Sequence, residues 1–288
     1  MESATDSMMT IGRQTATGRV ARHLLAAAIS LVLVGCVSSN DLFEARGTPP
    51  VSGSLMNAGD TMMAAGDHSG AVALYRSAHD QQPDQADPLI RMGRALAAAG
   101  AYADAAEAFR AALDRDPASA EAKRGLGNAL VGLGQPALAV GYLRDAVQAT
   151  EASDGMPDWR ACLGLGVALD LSGDPVAAQE SYRRGLESAP DNPDLVNNLG
   201  LSLALSGSAD QALPMLEALV ARHGTQGRYL GTLAIAYALD GRMEDAARLM
   251  SRQSPPDMVA RNLTSLTAIR AMDDHARKAL AIRMVYTG

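Results

Sequence analysis

The stretch DPLIRMGRALAAAGAYADAAEAFRAALDRDP, residues 87–117, reads as two helices and two stops. Leu89, Met92 and Leu96 fall at helical spacing on one face, and Gly93 shares that face. Gly100 follows, where a residue without a Cβ takes the left-handed backbone at little cost and ends the helix. Ala105, Phe109 and Ala112 form one face of the second segment at steps of four and three. Pro117 closes it, because a proline cannot extend the helix it follows. The pattern predicts a first helix over roughly 87–99 and a second ending before Pro117. Gly93 and Ala105 are small where the two helices cross; a bulky residue there would overpack the contact at a cost of about 1–3 kcal/mol.

Working outward, the same three features recur in phase. Gly59, Gly93, Gly127, Gly166 and Gly200 are spaced 34, 34, 39 and 34 apart, and the next step of 34 lands on Ala234. Seven residues after each stands Gly66, Gly100, Gly134, Gly173, Gly207 or Gly241, and five further on Ala71, Ala105, Ala139, Ala178, Ala212 or Ala246. Tyr75, Phe109, Leu143, Tyr182, Leu216 and Met250 fill the large apolar slot of the second helix. This period and these offsets resemble the tetratricopeptide repeat (TPR) family. The resemblance implies an all-α TPR solenoid of six helix-turn-helix repeats over 52–254. One repeat cannot bury its own apolar face, so the array needs stacking and a cap. Val259, Leu263, Leu266 and Ile269 make 255–272 the expected capping helix, and 273–288 reads as a C-terminal tail, a frayed helix at most. The long step places five extra residues around Glu151 to Asp158, read as a longer loop, with a modified groove wall as the alternative.

Residues 1–35 are of another kind. Arg13, Arg19 and Arg22 precede an apolar run from Leu24 to Val34, broken only by Ser30. It is too short to span a hydrocarbon core of about 30 Å and suits a signal-peptide core. The run ends at Leu33-Val34-Gly35-Cys36, which resembles the lipobox of bacterial lipoproteins and implies cleavage before Cys36 and acylation of Cys36. Met8 or Met9 is an alternative start, since such signals begin closer to the run. Val37 after the cysteine, where inner-membrane lipoproteins often carry aspartate, points to a periplasm-facing outer-membrane location. Residues 36–51, with Gly47, Pro49 and Pro50, read as a flexible tether.

Composition limits the function. The chain carries a net charge of −7; its first 35 residues hold three arginines against Glu2 and Asp6, leaving −8 on the rest. That balance argues against nucleic acid, which needs basic surface to displace counterions. His68, His79, His223 and His275 are scattered without metal-ligand spacing, so no metal or other cofactor is expected. No catalytic constellation stands out, and no enzyme activity or small-molecule substrate is expected. Cys162, on the packed face of a repeat helix, has no partner once Cys36 is acylated and reads as a buried, inert thiol.

TPR arrays bind peptides or protein elements along the groove lined by their first helices. By resemblance, the positions facing it are Ile90, Arg94, Arg124, Asn128, Leu163, Val167, Asn197, Asn198 and Leu201. Asparagines can hold an extended peptide by its backbone, and arginines can grip a carboxylate. Arg124 and Asn128 resemble part of the carboxylate clamp of chaperone-binding TPR domains. Gly164, Asn197 and Leu201 stand where the rest of that clamp should be, which rules the clamp out.

The C-terminal region narrows the family. Leu230 to Gly241, Met243-Glu244-Asp245-Ala246-Ala247, Ser254-Pro255-Pro256 and Val259-Ala260-Arg261-Asn262-Leu263 resemble the end of the TadD-type lipoproteins of tight-adherence (Flp) pilus assembly. The resemblance implies a lipid-held scaffold or chaperone for the pilus secretin or other pilus assembly proteins. The alternatives are an adaptor for peptidoglycan-processing enzymes and another type IV pilus pilotin.

Overall fold

The computed structural model describes residues 51–224 and 227–286. The signal-peptide and tether readings, Cys36 included, lie outside them. Fourteen helices and no strands form among the described residues. They pair as α1 (Val51–Ala64) with α2 (His68–Gln81), α3 (Asp87–Ala98) with α4 (Tyr102–Arg115), and α5 (Ala120–Gly132) with α6 (Pro136–Asp154). Then come α7 (Trp159–Ser172) with α8 (Pro175–Ser188), α9 (Pro193–Leu205) with α10 (Ala209–His223), and α11 (Gly227–Asp240) with α12 (Met243–Met250). Two further helices, α13 (Pro256–Arg270) and α14 (His275–Tyr286), complete the array.

Local chemistry sets the ends. Asp67, Ser119, Asp158, Asp174 and Asn192 cap α2, α5, α7, α8 and α9 by accepting backbone N–H groups of the first turn, satisfying donors that have no partner within the helix. Within-repeat turns pass through a left-handed glycine, as at Gly100 (φ 78°) and Gly173 (φ 87°). The first helices α3, α5, α7, α9 and α11 touch one another across repeats, whereas each second helix packs on the first helices either side of it. The first helices therefore make the inner layer, and one core runs unbroken from Leu89 to Ala236.

The glycine that recurs every 34 residues has a defined opponent, sixteen positions on. A Cβ on Gly93 would sit 2.9 Å from the Phe109 ring, and one on Gly200 2.7 Å from Leu216. Gly59, Gly127 and Gly166 oppose Tyr75, Leu143 and Tyr182 in the same way. The small residue on the first helix is thus the socket for the large residue on the second, closer than any side chain allows. In the sixth repeat Ala234 replaces the glycine and Met250 fills the slot; both lie in the C-terminal core, and an unbranched thioether can bend around the added methyl.

Two readings need correction. The five extra residues of the third repeat do not form a longer loop: they extend α6 to 19 residues, against 14 for α4, about one and a half further turns. Thr150, Glu151, Ala152 and Ser153 contain no helix breaker, and the helix runs until Gly155 (φ 74°) stops it. Glu151 then pairs with Arg184 of α8, and Asp158 pairs with Arg124 of α5 at 3.2 Å. The C-terminal segment is likewise no free tail. Helix α14 folds back against α7 and α9, burying Ala279 and Ile282.

Candidate functional site

The inner layer has a polar section and an apolar section. In the polar section Arg94 of α3 and Arg124 of α5 both reach Glu121, at 3.4 and 3.8 Å, and Asp158 takes the other side of Arg124. These arginines therefore meet carboxylates of the chain itself. Asn128 is exposed beside Gly164, where a Cβ would stand 2.5 Å from its Oδ1. Gly164 is the space that lets Asn128 lie across to α7.

Of the remaining sequence-nominated residues, Ile90 and Asn197 are buried within the array, and Asn197 Oδ1 finds no hydrogen-bond partner. Leu163 and Val167 are half-buried against the core. Asn198 is half-buried, and its Nδ2 donates to the Asp194 carbonyl at 2.8 Å. Val167, Asn198 and Leu201 come together in the wall of a cavity of about 650 Å³. That cavity spans the inner faces of α7, α9 and α11, with Leu171, Leu205, Thr232 and Ile235 adding mostly apolar wall. Ala279, Ile282 and Arg283 of α14 complete it.

The node of this region is Asp170, a buried carboxylate in the last turn of α7. It accepts from Tyr182 Oη at 2.9 Å, from Ser202 Oγ at 2.7 Å and from His275 Nε2 at 2.9 Å. One charged group so ties α7 to α8, α9 and α14. Burial, together with the Asp170 carboxylate, pushes the Tyr182 hydroxyl well above the usual phenol range. At the other end of α14, Arg283 Nη1 donates to the Val131 carbonyl of α5 at 3.2 Å. Cys162 is fully buried, and burial raises its thiol to about 11.

Asp170, Tyr182 and His275 are not among the residues nominated from sequence. A signal existed: tyrosine, not phenylalanine or leucine, fills the large slot at 75 and 182, and a buried phenol needs an acceptor. Asp60 serves Tyr75 at 2.8 Å as Asp170 serves Tyr182. No sequence pattern points to His275, which joins Asp170 across 105 residues.

Comparison with known proteins agrees with this architecture. The tetratricopeptide repeat family profile matches residues 90–157, 163–213 and 197–258, more than half of the chain, and a second tetratricopeptide repeat profile matches 62–105. Over 52 residues the chain is 48% identical to the uncharacterized protein y4yS of Sinorhizobium fredii (strain NBRC 101917 / NGR234), which is 18% of this chain and 29% of that protein's length. Among solved structures, Pseudomonas aeruginosa PilF superposes with a TM-score of 0.62 at 19% identity, over 76% of this chain and 99% of that one. PilW superposes with a TM-score of 0.59 at 20% identity, over 81% of this chain and all of that one. At these identities the likeness is one of fold. Repeat period, glycine sockets, paired helices and family profile converge: this chain belongs to the tetratricopeptide repeat family.

Proposed function

We propose that this protein is a lipid-anchored TPR scaffold that assembles a tight-adherence pilus secretion system, acting on the outer-membrane secretin by protein–protein binding. The observation that carries the binding role is the apolar cavity on the inner faces of α7, α9 and α11, held open beside a hydrogen-bonded node at Asp170. An all-helical array with that surface is suited to binding protein elements. The lipobox at Leu33 to Cys36 supports attachment at the periplasmic side of the outer membrane. Each buried methylene of an acyl chain contributes about 0.8 kcal/mol, so several chains hold a protein almost permanently. PilW, described as a widely conserved type IV pilus biogenesis factor, has the same fold, and the C-terminal resemblance to TadD-type lipoproteins supports the tight-adherence branch.

A deletion strain should lose pili and fail to form secretin multimers at the outer membrane. Normal multimers in that strain would overturn the secretin role, and recovery of peptidoglycan hydrolases or synthases with the protein would favour an adaptor instead. Supplied back to that strain, the Cys36→Ser protein should leave the membrane fraction while its array stays folded; unchanged membrane fractionation would count against acylation.

A further inference from the structure

Helix α14 occupies the binding face by a thin set of contacts. It has 12 residues, yet among its described side chains the buried apolar ones are Ala279 and Ile282, at 8% and 5% exposure, with Ala281 half-buried beside them. Its larger neighbours Leu280 and Met284 stand 51% and 71% exposed on the outer side. Polar contacts are made near both ends, among them His275 on Asp170 and Arg283 on the Val131 carbonyl. Between them the cavity stays open, and Ala279 is part of its wall. A methyl group thus stands where the space accepts a larger aliphatic side chain, and a void gives its lining atoms no dispersion partners. His275 also buries Nδ1 without a hydrogen-bond partner, so the contact that tethers the start of α14 is itself incomplete.

We propose that the face formed by α7, α9 and α11 is a receptor for an amphipathic helix of a protein partner, and that α14 is its weak built-in occupant, displaced when the partner binds. The partner helix carries a cationic residue against Asp170 and bulky aliphatic residues four and seven positions later, matching the spacing of His275, Ala279 and Ile282. Charge complementarity fixes its direction: the buried carboxylate of Asp170 lies at one end of the site, and a backbone carbonyl in the last turn of α5 lies at the other. Occupation by α14 lowers the apparent affinity for any partner by the fraction of molecules in which α14 is docked. The scaffold then discriminates against helices that fill the cavity no better than Ala279 does. This inference rests on the reading of the chain as a protein-binding scaffold, not on the pilus assignment.

The test uses the full chain and a fluorescent synthetic peptide of residues 273–288 carrying Ala279→Leu, followed by anisotropy. The peptide should bind the unaltered chain and should bind at least tenfold more tightly to a chain bearing Ala279→Asp, whose own α14 is expelled. Hydrogen exchange over 275–286 should show protection lost in that variant. If Ala279→Asp perturbs the circular dichroism of the array, His275→Ala carries the same comparison. Gly231→Leu fills the cavity from a position where an added Cβ meets no atom within 4 Å, and should abolish peptide binding while the array stays folded. Equal affinity of released and unaltered chains, absence of binding to both, or binding indifferent to Gly231→Leu would each overturn the inference. A strain lacking the protein that still makes secretin multimers would remove the pilus reading and leave this result standing.

Discussion

Gly166 and Tyr182 form the tightest of the glycine sockets, because the tyrosine ring is fixed at its far end as well. Its hydroxyl is held by Asp170, so the ring cannot swing away from an added methyl. Gly166→Ala should therefore destabilise the protein by about 1–3 kcal/mol. Gly231 also lies inside a helix but has open space where a Cβ would go. There the change to alanine should stabilise by about 0.5–1 kcal/mol through helix propensity alone. Urea unfolding of the two variants separates packing from propensity, since only the opponent differs. Cys162 supplies a second expectation at this scale. Burial raises its thiol from 9.0 to about 11, so the folded protein favours the protonated form. The associated stability is complete below pH 9 and is lost as pH rises toward 11. Thiol reagents at pH 8 should leave Cys162 unmodified until the array unfolds.

Among the helices, α10 and α6 depart most from the repeat. Helix α10 carries Pro214 at its sixth residue and still runs unbroken from Ala209 to His223. A proline inside a helix removes one backbone hydrogen bond and crowds the carbonyl four residues back. Packing of Ala212, Leu213, Leu216 and Leu219 on the core holds α10 together against that cost. Pro214 itself is exposed, so Pro214→Ala costs little burial. It should raise stability by about 1–3 kcal/mol, less than the full proline penalty because the unfolded chain also gains freedom; the midpoint of chemical denaturation reads this directly. The extension of α6 works differently. Its added turns bring Glu151 to Arg184 and, through the Gly155 stop, set Asp158 on Arg124. The insertion thereby braces the third repeat against the fourth.

The array as a whole is coupled through neighbours. From α3 onward each first helix touches the next first helix, and each second helix the helices beside it, so stability is close to a sum of repeat and interface contributions. Leu216, fully buried in the fifth repeat, should cost about 2–5 kcal/mol on change to alanine. The loss of hydrogen-exchange protection should concentrate in the fourth to sixth repeats and leave α1 to α4 nearly unchanged. A uniform loss along the chain would show one cooperative unit instead. The two ends of the array differ as well. The N-terminal repeat rests on a small cluster around Tyr75, whereas the C-terminal repeat is closed by α13 and α14 together.

The sequence by itself determined the helix pairs and their turns, because each depends on residues a few positions or one repeat apart. Gly100 implies a helix end through local geometry that recurs every 34 residues, whereas Phe109 as the opponent of Gly93 emerged from the structure. Only the tertiary structure decided that the extra segment near Glu151 is helical, that Ile90 and Asn197 are buried, and that the C-terminal helix lies against α7 and α9. Those outcomes turn on partners far along the chain, 105 residues for His275 with Asp170 and 152 for Arg283 with Val131. Periodicity carries no record of such pairings: the spacing of His275, Ala279 and Ile282 looks, in sequence, like that of any short amphipathic helix.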